Sequence, residues 1–325
     1  MVATFLSPPA RRKFRLHLLR WFDREKRSLP WRGEKDPYRI LVSEVMLQQT
    51  RVAVVVERYQ QFLRQFPSVS RLARAKEESV LAAWSGLGYY RRARALHDAA
   101  KQVQRNGAFP ASAAELAQLP GIGRYTAAAV ASIAFDEPAA VVDGNVKRVL
   151  QRLSGRELSR NDHWQIAQEL LELRRPGDFN QAMMELGATV CLPGQPVCTR
   201  CPVVKFCASR GTSNEKKLSV RRRKATLLYL LARRGDAIFL QPRPATISLM
   251  PGMWELPQTQ RAQTNKEIPV LKLRHSITTT DYSILVYACG PRRVREGLWC
   301  PLRTVGRLPL TGLARKILRR LELIA

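Results

Sequence analysis

The sequence predicts two domains, a mainly α-helical domain over residues 1–211 and a smaller α+β domain over residues 225–325. In the first part, apolar residues recur about every 3.6 positions, as in Phe14–Phe22 and Val52–Phe66, which is the period of a helix. From residue 225 the pattern changes to strand-like runs such as Tyr282–Gly290. A chain of 325 residues with 45% hydrophobic content is long enough to build two cores.

The charge balance is strongly basic. Fifty-five Lys and Arg residues against 26 Asp and Glu give a net charge of +29, and the pI is about 10.9. Such a balance favours a polyanionic partner, either nucleic acid or an anionic membrane surface. No apolar run approaches the roughly 18 residues that span a bilayer, so we do not expect membrane insertion.

The first residues lack the apolar core and small-residue cleavage site of a secretory signal. We therefore expect a cytosolic protein, associated with the nucleoid in a bacterium, or a nuclear or mitochondrial protein in a eukaryote. The arginine-rich start is also compatible with an organellar transit peptide. We expect the chain to act as a monomer.

Residues 212–224 are polar, basic and without periodicity, which predicts a linker. The linker is either a solvated tether or a binding segment, including a contact for a partner protein. We expect its arginines at 221–223 to add non-specific affinity for DNA.

Four of the six cysteines follow the pattern C-x6-C-x2-C-x5-C, which predicts a metal site. They are Cys191, Cys198, Cys201 and Cys207. The spacing alone does not decide between zinc and an iron–sulfur cluster as the bound group. Zinc sites usually have two closely spaced cysteine pairs, and this stretch has one. Disulfides would need an oxidising compartment, and Cys289 and Cys300 fit ordinary buried thiols.

The stretch Leu116–Phe135 predicts a helix-hairpin-helix. One helix should end at Leu119 before Pro120, and a second should start near Arg124. Gly121 and Gly123 leave the turn amides open to a phosphate, a contact that positions DNA without reading its sequence. The alternative is a plain tight connection between two helices.

Two carboxylates stand out in apolar surroundings. Glu44, in "SEVMLQQT", lies on a helix face with Leu47, Gln48 and Arg51, so a buried ion pair with Arg51 is the plain interpretation. Asp143 precedes Gly144, where it is expected to cap a helix opening at Asn145 and, through backbone amide bonds, to keep a low pKa.

Several separated motifs, in order over residues 14–210, resemble the adenine DNA glycosylase family of the endonuclease III superfamily. They are "LPWR", "DPYRILVSEVMLQQTRV", "WSGLGYYRRARAL", "LPGIGRYTAAAVASIAF", "VVDGNVKRVLQRL" and "NQAMMELGATVC". The resemblance implies a helix-hairpin-helix glycosylase domain whose cysteine loop holds a 4Fe-4S cluster. It also implies removal of adenine paired with 8-oxoguanine or guanine in duplex DNA.

The resemblance gives the catalytic residues their roles. Glu44 becomes the general acid that protonates the flipped-out adenine, and Asp143 stabilises the resulting sugar cation. Tyr125 occupies the place of the lysine that cleaves strands in bifunctional relatives, so we expect a monofunctional enzyme. Tyr125 and Asn145 are expected to support the catalytic carboxylates, although each would also fit a packed helix end.

The resemblance also gives the DNA contacts. Gln49 and Tyr89 are expected to insert around the base opposite adenine. Leu87, on the same glycine-flanked turn as Tyr89, is a further candidate for this contact. Arg32 is expected to contact the adenine pocket or a phosphate. Gly121 and Gly123 are expected to face the backbone.

The C-terminal region resembles the Nudix-like domain with which these glycosylases inspect 8-oxoguanine. It lacks the acidic helix of a Nudix hydrolase between Trp254 and His275, which predicts a reader without magnesium-dependent hydrolysis. Ile277, Thr278 and Thr279 stand where many relatives carry Phe-Ser-His. Thr278 keeps a hydroxyl that could bind the lesion, but the missing histidine leaves the preference for 8-oxoguanine over guanine open.

Three other functions stay open at this point. One is a monofunctional glycosylase for another base, such as mispaired thymine. A second is a non-catalytic iron–sulfur protein that binds DNA, which intact Glu44 and Asp143 disfavour. The third, a Nudix nucleotide hydrolase, lacks its acidic metal-binding motif.

Overall fold

The computed structural model describes residues 5–210, 222–244, 246–247, 250–260, 268–277 and 279–324. The chain forms two compact units. The first comprises Met1–Arg74 and Ala95–Lys216, and the second comprises Ala75–Arg94 and Lys217–Ala325. The domain limits predicted at 211 and 225 stay a prediction, because residues 211–221 lie outside the described part of the chain.

The N-terminal part is helical, as predicted. Its helices are α1 (Pro8–Glu25), α2 (Pro37–Leu47), α3 (Val52–Gln65), α4 (Val69–Ala73), α5 (Glu77–Ala83), α6 (Arg91–Asn106), α7 (Ala113–Leu116), α8 (Arg124–Ala134), α9 (Gly144–Ser154), α10 (Arg160–Leu170) and α11 (Pro176–Thr189). Near the C-terminus follow α12 (Leu302–Val305) and α13 (Gly312–Arg320). No helix of the described residues is long and apolar enough to cross a membrane.

The first unit is built around buried faces of α1, α9, α10 and α11. Their core includes Phe14, Phe22, Leu150, Leu170 and Phe179. Two further helices, α2 and α8, pack on each other. The start of α2 is fixed by Pro37 and by the Asp36 side chain, which accepts a hydrogen bond from the Tyr38 amide. This packing brings the predicted acid on α2 against the helix that follows the hairpin.

The helix-hairpin-helix is present, with one boundary corrected. The second helix begins at Arg124 as predicted, but the first ends at Leu116 and not at Leu119. Beyond Leu116 the chain forms i→i+3 turns, in which the amides of Gln118 and Leu119 donate to the carbonyls of Glu115 and Leu116, and Pro120 disfavours helical backbone at Leu119. Gly121 has φ +69, and a Cβ there would collide with the Ala95 side chain, so the turn requires glycine.

The described residues of the second unit form a mixed seven-stranded sheet of order β3-β2-β1-β6-β5, with β4 beside β1 and β7 beside β2. The strands are β1 (Arg223–Arg234), β2 (Ala237–Pro242), β3 (Trp254–Glu255), β4 (Gln258–Thr259), β5 (Leu271–Ile277), β6 (Thr280–Cys289) and β7 (Leu298–Pro301). Strands β1 and β6 run parallel, with Leu228 opposite Leu285. Buried residues of the sheet and of α13, including Ile284, Val286 and Ile317, form its core. The strand predicted at Tyr282–Gly290 is confirmed as the main part of β6.

Candidate active site

A cavity of about 880 Å³ lies in the first unit between α2, α8, α9 and α11. Most of the residues predicted for catalysis and DNA binding line it. They are Arg32, Glu44, Gln49, Gly121, Gly123, Tyr125, Asp143 and Asn145. The two predicted carboxylates therefore share one cavity, although 99 positions separate them in the chain.

Glu44 lies near the C-terminal end of α2 and is buried, with 5% of its surface exposed. Its Oε2 accepts a 2.7 Å hydrogen bond from the Tyr125 hydroxyl. The ion pair expected with Arg51 is wrong, because α2 ends at Leu47 and Arg51 is an exposed residue that precedes α3. The helical face that would have joined Glu44 to Arg51 does not continue so far.

The environment of Glu44 suits a general acid. Burial, helped by the nearby Asp143 charge, raises the pKa of Glu44 to about 7, although the Tyr125 hydrogen bond and the Arg32 charge oppose the shift. A carboxyl group with such a pKa holds a proton near neutral pH and can donate it. Burial and the adjacent carboxylates raise the pKa of Tyr125 well above its ordinary value, so Tyr125 stays a neutral donor.

Asp143 caps α9, which begins at Gly144, one residue earlier than predicted. Its Oδ1 accepts from the Val146 amide at 2.7 Å, and its Oδ2 accepts from Asn145 Nδ2 at 3.0 Å. The low pKa expected from these bonds is wrong: burial outweighs them and raises the pKa of Asp143. Because hydrogen bonds to the charged form oppose the shift, Asp143 is favoured as the ionised member of the pair.

Hydrogen bonding to Arg148 fixes the position of the Asn145 side chain. Its Oδ1 accepts a 2.9 Å bond from Arg148 Nη2, and Arg148 also donates to the carbonyl oxygens of Gly187 and Cys191. A Cβ at Gly187 would lie 2.6 Å from the Cβ of Asn145, so only glycine allows this approach of α11 to α9. The amide of Asn145 therefore points its nitrogen at Asp143.

A cluster that the sequence analysis missed lies at the cavity wall. Glu185 is fully buried and pairs with Arg27 at 2.6 Å and with Arg32. Burial alone would raise the pKa of Glu185, but the two arginines hold it below its ordinary value. Arg32 also donates to Gln181 Oε1 at 2.6 Å, and its Nε is buried without a protein partner. The sequence feature that could have indicated this cluster is the lone glutamate, Glu185, in the apolar motif "NQAMMELGATVC".

The predicted wedge residues and Thr278 have different positions. Gln49 is at the cavity, but with φ 55 it follows the end of α2 and is not on the helix. Leu87 and Tyr89 belong to the second unit; Leu87 is buried, whereas Tyr89 is 52% exposed. Thr278 lies outside the described part of the chain, between the end of β5 and the start of β6.

The four clustered cysteines line a second, small cavity together with apolar residues of α9 and α11. Arg152 lies beside them: its Nη1 is 3.4 Å from Cys191 Sγ, and its carbonyl oxygen accepts from Cys207 Sγ at 3.3 Å. Within the described ranges, no group of three or more His, Cys, Asp or Glu residues is arranged to hold a metal ion. The four thiols nevertheless line the same cavity.

The helical fold, the hairpin and the paired carboxylates define a class of proteins. Residues 42–176 match the model of the HhH-GPD superfamily of base excision DNA repair proteins. Among solved structures, a thermostable thymine-DNA glycosylase is similar (TM-score 0.58, 30% identity, 62% of this chain and 97% of that chain). An endonuclease III–DNA complex shares the fold (TM-score 0.55, 24% identity, 63% and 97% of the two chains).

Curated relatives narrow the class. The adenine DNA glycosylase of Buchnera aphidicola is 35% identical over 240 residues, covering 70% of this chain and 68% of the relative. The adenine DNA glycosylase of Mus musculus is 49% identical over 223 residues, which are 63% of this chain and only 43% of the relative. The chain belongs to the adenine DNA glycosylase family.

Proposed function

We propose that the protein removes adenine paired with 8-oxoguanine or guanine from duplex DNA, by hydrolysis of the N-glycosidic bond. The observation that carries the proposal is the buried Tyr125–Glu44 hydrogen bond beside Asp143, in a cavity large enough for a base. A flipped-out base reaches such a site only after extrusion from the helix. The net charge of +29 supports a DNA partner.

The chemistry follows from the two carboxyl groups. Glu44 donates its proton to a purine ring nitrogen, and the C1′–N9 bond then breaks with its electron pair leaving on adenine. The Asp143 carboxylate stabilises the sugar cation. A water oxygen adds to C1′, and its proton returns to the Glu44 carboxylate, so the products are free adenine and an abasic site. The unpartnered Arg32 Nε and the neighbouring Gln181 can offer hydrogen bonds to the extruded base.

The enzyme is proposed to be monofunctional. Strand cleavage by a lyase requires an amine that forms a Schiff base with the sugar. Tyr125 has no amine, and its hydroxyl is engaged with Glu44. The abasic product should therefore keep its strand intact until alkali is added.

The cysteine loop is proposed to hold a 4Fe-4S cluster on Cys191, Cys198, Cys201 and Cys207. The four thiols line one cavity with largely apolar walls, and Arg152 can stabilise thiolate charge there. When bound, the cluster would cross-link the loop and fix the exposed Arg200, Lys205 and Arg210 for phosphate contacts. Metal and sulfide analysis of the purified protein separates this proposal from zinc, which would bring no inorganic sulfide.

The C-terminal sheet is proposed to be a Nudix-like reader of 8-oxoguanine, with Thr278 near the lesion. The mixed sheet with α13 against it supports an α+β domain of this kind. Replacing Thr278 with Ala should reduce the preference for 8-oxoguanine over guanine and leave adenine excision from both pairs measurable. An unchanged preference would remove Thr278 from the proposed reader.

The proposed activity is tested with duplexes carrying adenine opposite 8-oxoguanine, guanine or cytosine, and thymine opposite guanine. Wild type and Glu44→Gln are compared, with Glu157→Gln as an exposed control of the same chemical change. We expect alkali-dependent breaks at adenine in the first two duplexes, lost in Glu44→Gln only. The similarity to a thymine-DNA glycosylase makes thymine excision the second candidate. Breaks only at thymine, or none, would contradict the proposal.

A further inference from the structure

The loop of residues 84–90, "WSGLGYY", belongs to the second unit and contains three residues with positive φ. Gly86 has φ +95 and Gly88 has φ +70, and they are followed by Tyr89 with φ 48. A tyrosine in the left-handed region is unfavourable and persists only where the surrounding structure holds it. The ring it presents is half exposed, although both neighbouring aromatic residues, Trp84 and Tyr90, are buried.

Part of the support comes from the loop itself. Trp84 Nε1 donates to the Gly88 carbonyl at 3.1 Å, and Arg92 Nη2 donates to the carbonyls of Leu87 and Gly88 at 3.0 and 3.2 Å. The Arg92 guanidinium also lies 5.5 Å from the ring centroids of both Trp84 and Tyr89. These contacts fix the orientation of the Leu87 and Gly88 carbonyls, and the buried side chains of Trp84, Leu87 and Tyr90 pack the loop against its surroundings.

The anchors come from the C-terminal residues of the same unit. At one end of the loop, Ser85 Oγ accepts a 2.7 Å bond from Arg315 Nε on α13. At the other end, the Tyr90 hydroxyl donates to the Leu310 carbonyl at 3.3 Å. Ser85 and Tyr90 are 1% and 3% exposed, so water cannot replace these bonds without opening the contact. Beyond the loop, Arg94 donates to the Pro251 carbonyl at 2.7 Å.

We propose that the C-terminal residues are a support that positions Tyr89, with Arg315 and Ser85 as positioning residues. The inference rests on the proposed function and on the role that the family resemblance implies for Tyr89, whose ring is expected to insert beside the base opposite adenine. In that enzyme the C-terminal residues would have two roles in base extrusion. They would recognise the lesion, and they would also rigidify the loop of residues 84–90 that carries Tyr89.

The support is tested first in the free, full-length protein, by hydrogen exchange of the amides of residues 86–90. Ser85→Ala should speed this exchange about fivefold, as expected for one lost buried hydrogen bond, and Tyr90→Phe should act similarly. Arg315→Ala is a less selective probe, because Arg315 also donates to the carbonyls of Gly306 and Leu308. Arg320→Ala, at an exposed position of the same helix, is the matched control and should change nothing.

The role in DNA binding is tested in the Glu44→Gln background, so that no base is released. The probe is a duplex with 2-aminopurine next to 8-oxoguanine, whose fluorescence rises when that step unstacks. Ser85→Ala should lower the rise several-fold, and so should Tyr89→Ala. The double variant should be no worse than Tyr89→Ala alone, since Ser85 acts through Tyr89.

The outcomes separate the two proposals. Unchanged exchange in Ser85→Ala and Tyr90→Phe would overturn the support, whatever the enzyme excises. An additional loss in the double variant would show that Ser85 acts by another route and would also overturn it. Absence of adenine excision by wild type, with faster exchange in Ser85→Ala, would reject the proposed function and leave the support of the loop established.

Discussion

The Tyr125 hydroxyl and the Glu44 carboxylate, on two different helices, share a 2.7 Å hydrogen bond inside the cavity. Tyr125 is the second residue of α8, directly after the hairpin turn, and Glu44 is on α2, which packs against α8. The hairpin that is proposed to hold the DNA backbone is thus one residue from the group that orients the acid. If the hairpin binds a DNA phosphate as expected, the same turn positions both the phosphate and the Tyr125 hydroxyl that orients Glu44.

Removing the Tyr125 hydroxyl should shift the pH dependence of excision. The hydrogen bond stabilises ionised Glu44, so Tyr125→Phe raises the pKa of Glu44 above its value of about 7. Because the acid must be protonated, the alkaline limb of the single-turnover rate should move to higher pH, by about one unit. Tyr38→Phe also removes a buried hydroxyl, which donates to the Phe66 carbonyl, and serves as the control. A limb that moves equally in both variants would argue against a specific effect.

The wild-type rate should itself fall above about pH 7, because Glu44 loses its proton there. Single-turnover excision measured between pH 5 and 9 should show a logarithmic slope approaching −1 on the alkaline side. The Glu157→Gln variant should keep this profile. A rate that stays flat up to pH 9 would mean that the proton comes from another group.

Asn145→Ala should act on the acidic limb instead. Asn145 donates to Asp143 and stabilises its charge, so the substitution raises the pKa of Asp143 further. Since Asp143 must be ionised to face the sugar cation, the rate should begin to fall at a higher pH on the acidic side, with a loss of about tenfold at pH 5. Asn161→Ala changes an exposed residue of the same type and should leave the limb in place.

The sequence correctly predicted those features of the structure that depend on interactions between residues close together in the chain. The helices of the N-terminal part, the start of α8 at Arg124 and the capping role of Asp143 follow from periodicity, glycine and capping chemistry close in sequence. The motifs also indicated that Glu44, Tyr125 and Asn145 belong to one site, and all three residues line the same cavity.

The features that the sequence did not predict depend on contacts between residues far apart in the chain. Glu44 faces Tyr125 rather than Arg51 because α2 stops at Leu47, and periodicity does not mark that end. Arg27 and Glu185 are 158 positions apart, so neither predicted the other. The pairing of Ser85 with Arg315 across 230 positions is a product of tertiary packing alone. The raised pKa of Asp143 likewise comes from burial, which capping chemistry does not reveal.

Glu44→Gln should change stability in a pH-dependent way. The pKa of Glu44 is about 7 in the folded protein against an ordinary 4.5, so between these values the folded state binds more protons than the unfolded state. The free energy of unfolding of wild type therefore falls as pH rises through this window, by up to about 3 kcal/mol. Glutamine keeps an acceptor for Tyr125 but carries no charge, so the variant should avoid this loss.

The measurement is denaturant unfolding of wild type and Glu44→Gln at pH 5 and pH 8. The two proteins should be similar at pH 5, and the variant should be the more stable at pH 8. Glu157→Gln should track wild type at both values, because its carboxylate is exposed. A variant that is less stable than wild type at pH 8 would mean that neighbouring groups stabilise the ionised Glu44 carboxylate. Its burial would then not lower the free energy of unfolding.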